Sequence, residues 1–350
     1  MNTFDINTIT RENVKVMKPY SSARDEFEDF DTAQMIFLDA NENPFENGVN
    51  RYPDPQQQSV KSILGQNKGL KKNQILLGNG SDEVLDLLFR AFCEPKIDTI
   101  ITLPPTYGMY SVLANLNDVT NKEVLLTNDF QPNVAAIFEA VDTNTKIIFL
   151  CSPNNPTGNS FSDESVVYLL NNFNGLVVID EAYIDFSTKD SWVNELDAYP
   201  NLVITQTLSK AYGLAGIRLG ICYASEAIIG VLNKIKPPYN VNELTQQRAI
   251  ERLQQPEKIE LEINAIIEQR ELLLKALLKV KYIETIYPTE ANFVLIKVDD
   301  ANKRYEELIA KGIVIRNRTT QPLCDNCLRL TIGTAIENKK LIEALTLSGF

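Results

Sequence analysis

The chain has 350 residues, of which 44% are hydrophobic and 23% are charged, and its formal net charge is −12. This length allows one large domain or two modest ones with a buried core, and the acidic balance argues against non-specific nucleic-acid binding. The chain contains no histidine, which excludes Ser-His-Asp and Cys-His catalysis and histidine-ligated metal sites. Acid–base chemistry must therefore come from Lys, Tyr, Asp, Glu or Cys.

The elements begin with an irregular N-terminal segment. Residues 1–35 are polar, and we predict an arm that packs with a small C-terminal domain. From 36 to 240, short apolar runs rich in Ile, Leu and Val alternate with amphipathic stretches. Such runs are typical of strands buried on both faces, so we predict an α/β fold whose large domain holds a mostly parallel sheet covered by helices. The predicted strands lie near 74–77, 99–103, 147–151, 176–179, 203–205 and 219–222.

The pattern changes after Pro237 and Pro238, which we predict to form a hinge. Two helices are predicted over 242–253 and 257–279, with Pro256 between them. The remaining pattern predicts strands at 291–298, 313–315 and 328–332 and helices at 301–311 and 336–347. Residues 241–350 are therefore predicted to form a smaller α+β domain.

The N-terminus and the cysteines indicate the compartment. No basic patch followed by an apolar run begins the chain and no run is long enough for a membrane helix, so we expect a cytoplasmic protein without a membrane partner. Five cysteines, an odd number, fit a reducing compartment.

Cys324 and Cys327 form a C-x-x-C, which could be a redox pair or half of a metal site. Two further ligands are missing, so we predict thiols in a surface loop and no metal.

The first chemical motif is the sequence GNGSDE at 78–83, which lies between an apolar run and an amphipathic pattern. Small residues at a strand-to-helix turn let backbone amides approach an anion, so a phosphate could bind near Gly80 and Asp82. A plain turn with a serine or aspartate helix cap would explain the same residues. The motif is neither a Walker loop nor a complete G-x-G-x-x-G pattern.

Three later apolar runs also end in polar residues. They are followed by an asparagine turn at 152–158, by Asp180, and by Lys210 with Arg218 eight positions later. A partly buried lysine loses its proton more easily and becomes a nucleophile. Taken singly, these residues could be a loop, a helix cap and a surface charge. Because ligands bind at the carboxyl ends of strands in open α/β sheets, we expect the four clusters to share one edge.

These motifs resemble a known family. The sequences NPTG at 155–158, DEAY at 180–183, SKAY at 209–212 and GIR at 216–218 resemble the fold-type-I, pyridoxal-phosphate-dependent aminotransferases. Within that family, DANENP at 39–44, RYP at 51–53, GNGSDE at 78–83, PTYGMY at 105–110 and LRLTIGT at 328–334 resemble the branch that acts on histidinol phosphate. The similarity runs from about residue 13 to the C-terminus. It implies a three-layer α/β/α large domain, pyridoxal 5′-phosphate as cofactor and a homodimer.

The resemblance also implies residue roles. Lys210 would bind the cofactor and move a proton, Asp180 would keep the pyridine nitrogen protonated, Tyr183 and Asn155 would contact the phenolic oxygen, and Tyr107 would stack on the ring. The implied phosphate-binding residues are Gly80, Ser81, Asp82, Thr207, Ser209, Arg218 and, from the neighbouring subunit, Tyr52. The implied substrate-binding residues are Tyr20, Asn79, Arg316 and Arg329. A guanidinium suits both carboxylates and phosphates.

The activity implied by the resemblance is an amino transfer in histidine biosynthesis. It would interconvert histidinol phosphate and 2-oxoglutarate with imidazole acetol phosphate and glutamate. An aromatic amino-acid aminotransferase and a phosphothreonine decarboxylase remain alternatives. A cofactor-sensing regulator would need a DNA-binding module, for which this acidic chain offers little. An aldolase that uses Lys210 without a cofactor would leave Asp180, Asn155 and the turn at 80–82 without a role.

Overall fold

The computed structural model describes residues 4–19 and 36–346. Within these ranges the strands form one seven-stranded sheet and one four-stranded sheet. The large sheet has the spatial order β1-β7-β6-β5-β4-β2-β3. Its strands are β1 (Ile75–Asn79), β2 (Thr99–Thr102), β3 (Thr120–Glu123), β4 (Thr145–Cys151), β5 (Leu176–Asp180), β6 (Leu202–Thr207) and β7 (Leu219–Ala224).

The strand directions bring four strand ends to one edge of the large sheet. β7 is antiparallel to both β1 and β6, whereas the pairs from β6 through β5, β4 and β2 to β3 are parallel. β1 therefore runs in the same direction as β4, β5 and β6. The residues that follow these four strands consequently lie along one carboxyl edge, where ligands bind in sheets of this kind.

Both faces of the large sheet are covered. Alternate residues of β5 point to opposite sides, so that Val177 and Ile179 join one apolar core and Val178 joins the other. One face is covered by α4 (Ser81–Phe92), α5 (Met109–Leu116) and α8 (Glu226–Ile235). The other is covered by α3 (Gln58–Lys68), α6 (Val134–Ala140), α7 (Asp163–Asn172) and α9 (Glu243–Leu253). This is the three-layer α/β/α arrangement that was predicted.

The small sheet is antiparallel, with the order β10-β11-β9-β8. Its strands are β8 (Ile283–Ile286), β9 (Phe293–Val298), β10 (Arg316–Asn317) and β11 (Cys327–Thr331). The core on one of its faces includes residues of α10 (Pro256–Leu277), α11 (Ala301–Ala310) and α12 (Ala335–Thr346). Leu295 and Cys327 on its other face belong to a core of the large sheet, so that face is turned toward the large sheet.

The N-terminal arm differs from the prediction. The helices α1 (Ile6–Ile9) and α2 (Glu12–Val16) lie within residues 4–19. Ile9 belongs to the core beside α4 and α8, and the Arg11 Nε atom donates to the Glu94 carboxylate at 3.1 Å. The prediction that the arm packs with the small domain is therefore wrong for residues 4–19. Residues 20–35 lie outside the described part of the chain, and the predicted domain boundary at 240 stays a prediction.

Three further details differ from the sequence prediction. The strand expected at 313–315 is instead β10, because the chain pairs with β11 only from Arg316 onward. β3 and β8 were not predicted, since neither has the fully buried, continuous apolar pattern of the central strands. Cys324 and Cys327 are fully buried within a core, so the prediction of thiols in a surface loop is wrong. Within the described ranges, no helix has the length and apolar character needed to cross a bilayer.

Candidate active site

A cavity lies at the carboxyl edge of the large sheet. The four polar clusters that were expected to share this edge all contribute to its wall. Asp180 is the last residue of β5, and Lys210 follows the end of the neighbouring strand β6. Both residues line the cavity. The lining residues are Ser81, Asp82, Tyr107, Cys151, Asn155, Asp180, Ala182, Tyr183, Thr207, Ser209, Lys210 and Arg218.

Asp180 is a buried carboxyl group held by neutral donors. It is 3% exposed at the end of β5. The Tyr110 hydroxyl donates to its Oδ2 atom at 2.8 Å, and the Ala182 amide donates to its Oδ1 atom at 3.2 Å. Burial raises the pKa of Asp180 to about 6, although these hydrogen bonds act in the opposite direction. A buried carboxylate of this kind is stabilised by a cationic ligand group placed beside it.

The Lys210 amine lies across the cavity from this acid. Its Nζ atom is 5.8 Å from the centre of the Tyr183 ring. Burial and then the positive charge of Arg329 lower the pKa of Lys210, while Asp180 opposes the shift. A lowered pKa increases the fraction of neutral amine, which is the nucleophilic form.

An anion cradle lies where β1 leads into α4. Gly80 precedes the helix with φ +82°, and among the described residues no side chain caps the helix there. A Cβ atom on Gly80 would lie 2.7 Å from the Arg218 guanidinium, and one on Gly220 of β7 would lie 2.2 Å from the Ser81 amide nitrogen. The helix N-terminus therefore keeps amides for an anion. The Arg218 Nη1 atom also donates to the Ser209 hydroxyl at 3.4 Å.

Asn155 connects the two sheets across the cavity. Its amide nitrogen donates to the Tyr183 hydroxyl at 3.4 Å, and its Oδ1 atom accepts a hydrogen bond from Arg329 of β11. Burial, followed by the nearby charge of Arg318, lowers the pKa of Arg329 to about 10. A side chain of the small sheet thus contacts a residue that lines the cavity of the large one.

The remaining predicted site residues lie in different places relative to the cavity. Asn79 is exposed at the end of β1 and does not line the cavity. Tyr52 is half exposed and stacks on Tyr239 with ring centres 4.6 Å apart, away from this chain's own cavity. Arg316 is exposed and lies opposite Arg329 in the register of the small sheet. Tyr20 lies outside the described residues.

Two residues were missed by the sequence analysis. Tyr110 lies in the sequence PTYGMY, but as an aromatic residue on the buried face of α5 it has the pattern of a core residue. Arg318 lies two positions after Arg316. That spacing places both side chains on one face only if the segment is a strand, which the sequence did not show. Either residue could have been noticed, but only the tertiary structure shows what each contacts.

The lining residues fit pyridoxal phosphate. Asp180 can hold a protonated ring nitrogen, and the Lys210 amine is positioned to bind an aldehyde carbon in the same cavity. The amides at the start of α4, with Thr207, Ser209 and Arg218, could bind the phosphate. Tyr107 is held beside this site because its hydroxyl donates to Asp82 at 3.1 Å.

Comparisons with known proteins agree with this geometry. Residues 29–345 match the family described as aminotransferase class I and II. A histidinol-phosphate aminotransferase of Flavobacterium johnsoniae is 79% identical over 347 residues, which cover 99% of each chain, and one of Flavobacterium psychrophilum is 64% identical over 345 residues, again 99% of each. The crystal structure of the histidinol-phosphate aminotransferase from Clostridium acetobutylicum matches with a TM-score of 0.79 and 26% identity, covering 86% of this chain and 91% of that one. The chain therefore belongs to the class I and II aminotransferase family.

Proposed function

We propose that this chain transfers an amino group between histidinol phosphate and 2-oxoglutarate, giving imidazole acetol phosphate and glutamate, as a step in histidine biosynthesis. The observation that carries the proposal is that the Lys210 amine and the buried Asp180 carboxyl group line one cavity, where Arg329 hydrogen-bonds the lining residue Asn155. The names of the two Flavobacterium relatives favour histidinol phosphate over the aromatic aminotransferase and phosphothreonine decarboxylase alternatives.

Lys210 and Asp180 would perform the central chemistry. Pyridoxal phosphate supplies an electron-withdrawing ring that stabilises negative charge at the substrate carbon. Lys210 would hold the aldehyde carbon through Nζ, and its amine would move a proton at the substrate carbon as general base and acid. Asp180 would keep the ring nitrogen protonated because, among the described residues, its buried carboxylate accepts hydrogen bonds from the neutral donors Tyr110 and Ala182.

The other cavity residues would orient the cofactor. Tyr183 and Asn155 would donate hydrogen bonds to the phenolic oxygen, and Tyr107 would stack on the ring. Asp82 would offer its backbone amide to the phosphate, since its carboxylate already accepts a hydrogen bond from Tyr107 and lies 3.8 Å from Arg218. The remaining phosphate contacts would come from Gly80, Ser81, Thr207, Ser209 and Arg218.

The substrate would be held at its anionic end by the small sheet. Arg329 and Arg316 lie opposite each other on β11 and β10, and a guanidinium can bind a carboxylate or a phosphate through two parallel hydrogen bonds. The same face could therefore receive glutamate and histidinol phosphate in turn. Asn79 and Tyr20 stay predictions as further substrate contacts.

A homodimer is part of the proposal. Tyr52 lies on the surface beside Tyr239, and it does not line its own chain's cavity. We propose that Tyr52 of one protomer reaches the phosphate site of the other, so that each site needs both copies.

We also propose that the enzyme works in the cytoplasm, where reducing conditions keep its five free cysteines as thiols. Cell fractionation would test this location.

A transamination screen tests the proposed function. The purified holoenzyme is given 2-oxoglutarate as acceptor, with histidinol phosphate, phenylalanine, tyrosine, aspartate and O-phosphothreonine as separate candidate substrates. We expect glutamate to form fastest with histidinol phosphate. Faster reaction with an aromatic amino acid would favour the first alternative, and release of carbon dioxide from O-phosphothreonine would favour the second.

A further inference from the structure

Three arginines lie on one face of the small sheet. Arg316 of β10 is directly opposite Arg329 of β11. The pairing continues one step further, because the Arg318 amide donates to the Cys327 carbonyl at 2.9 Å. Residues that are directly opposite, or two positions apart along a strand, share a face of a sheet. Arg316, Arg318 and Arg329 are therefore neighbours on the same face.

This arginine face is turned toward the cofactor cavity. Leu295, the partner of Arg329 on β9, belongs to a core of the large sheet. Leu328 and Leu330 point the other way, into the core of the small domain. Arg329 itself hydrogen-bonds Asn155, which lines the cavity. The arginine face therefore forms the side of the site that an incoming substrate meets.

The positive charge of this face is not balanced within the described residues. None of their carboxylates forms an ion pair with Arg316, Arg318 or Arg329. The Nε atoms of Arg318 and Arg329 are buried and lack a hydrogen-bond partner. Like charges directly opposite destabilise a sheet, and buried donors without partners cost free energy. A bound anion would relieve both costs.

The number of guanidinium groups indicates which anion the face suits. A carboxylate has one charge and two acceptor oxygens, and Arg316 with Arg329 already supplies enough donors for it. A phosphate monoester carries a charge between about −1.5 and −2 near neutral pH and has three terminal oxygens. A third guanidinium therefore adds more to the binding of a phosphate than to the binding of a carboxylate.

We propose that Arg318 is a specificity-determining residue that binds the substrate phosphate and thereby favours a phosphate monoester over glutamate. This inference rests on the proposed function, because it takes histidinol phosphate as the substrate whose phosphate lies against the arginine face.

The test compares the R318Q holoenzyme with R318K and with the control R248Q. Arg248 is an exposed residue of α9 paired with Glu251 at 2.7 Å, so R248Q removes the same charge far from the arginine face. In R318Q, kcat/KM for histidinol phosphate should fall about 30-fold, mainly through KM, which corresponds to about 2 kcal/mol. For glutamate it should fall less than about threefold, the size of a weak ion-pair effect. R318K should lose less than R318Q, and R248Q should change neither value.

Inhibition by inorganic phosphate gives a second measurement. Phosphate competes with glutamate on the holoenzyme, and its inhibition constant should rise about tenfold in R318Q, or about 1.4 kcal/mol. Equal losses for both substrates, or an unchanged inhibition constant, would overturn the role of Arg318. If the unaltered holoenzyme does not turn over histidinol phosphate, the proposed function fails, and the phosphate inhibition constant alone then decides whether Arg318 binds phosphate. Thermal unfolding of each variant checks that it is folded.

Discussion

The two sides of the active site balance charge in different ways. On the large sheet, Asp180 is buried but receives hydrogen bonds from Tyr110 and Ala182. On the small sheet, Arg316, Arg318 and Arg329 share a face without a carboxylate partner among the described residues. On the cofactor side the charged group is therefore held by neutral donors of the protein, whereas the arginines of the substrate side share a face that a bound anion would neutralise. This difference suits a site that keeps one cofactor and exchanges two substrates.

The largest effect is expected from removing the reactive amine on the cofactor side. In K210A, no other lysine among the described residues lines the cavity to bind the aldehyde or carry the proton. Since general acid–base catalysis alone contributes about 10²–10⁴-fold, turnover should fall at least about 10⁴-fold. Steady-state transamination and the absorption band of the bound cofactor are the measurements. The control is K71A, which removes a surface lysine paired with Glu226. Full turnover in K210A would refute the assigned role.

The same variant tests the proposed dimer. Co-folding K210A with Y52A should give mixed dimers in which one site has both an intact Lys210 and an intact Tyr52 from the partner. With random assortment, about a quarter of the normal activity should return. No recovery, in a mixture shown to contain mixed dimers, would contradict a phosphate site shared between protomers.

The next effect concerns the charge that the cofactor side provides. D180N keeps the shape of the side chain but removes the anion that we propose pairs with the ring nitrogen. Because breaking a buried charge pair costs about 3–5 kcal/mol, kcat should fall about 10²–10³-fold. The pH dependence of the bound cofactor's absorption should shift as well, which a purely structural defect would not produce. The control D190N removes an exposed carboxylate outside the cavity and should leave kcat and absorption unchanged.

A smaller effect is expected on stability, next to Asp180. Glu181 is 1% exposed and accepts hydrogen bonds from Ser191 Oγ at 2.5 Å, the Trp192 amide at 2.7 Å and Gln206 Nε2 at 2.8 Å. Burial raises its pKa from 4.5 to about 7. The folded state therefore holds this proton more tightly than the unfolded state does. The stabilisation from the protonated Glu181 carboxyl group is complete below pH 4.5. It is lost as the pH rises through 7, which lowers the free energy of unfolding by about 3 kcal/mol.

E181Q should remove this pH dependence. Urea unfolding of the wild-type chain and E181Q, each without cofactor, is measured from pH 4.5 to pH 8. The unfolding free energy of E181Q minus that of the wild-type chain should increase by about 3 kcal/mol as the pH rises over this range. A difference that stays constant over this range would show that Glu181 is charged, with an ordinary pKa, in the folded state.

The central strands and the polar residues at their ends could be predicted because their signals are local. A continuous apolar run marks a strand buried on both faces, and Asp180 and Lys210 stand directly at or after such runs. β3 and β8 lack that signal, since their pairing partners rather than their own composition make them strands. The N-terminal arm was misplaced because its few apolar residues do not specify which of several apolar surfaces they cover.

Cys324 and Cys327 show the same limit at the level of single residues. Their spacing and polar neighbours resemble a surface loop, yet both thiols are buried where the small sheet meets the large core. Tyr110 likewise has the pattern of a core aromatic residue, and only its 2.8 Å hydrogen bond to Asp180 places it in the active site. Contacts between residues about 70 positions apart do not change the local periodicity of the sequence, so local patterns do not predict them.

The amino-acid sequence alone was sufficient to predict the α/β class and the carboxyl edge that the polar clusters share, since both depend on short-range patterns of apolar and polar residues. The tertiary structure decided which side chains complete that edge: the Tyr110 hydroxyl behind Asp180, the bond from Arg329 to Asn155, and the alignment of Arg318 with two other arginines. The physical reason is that hydrogen bonds and strand register join distant parts of the chain, and their partners are set only when the two sheets pack together.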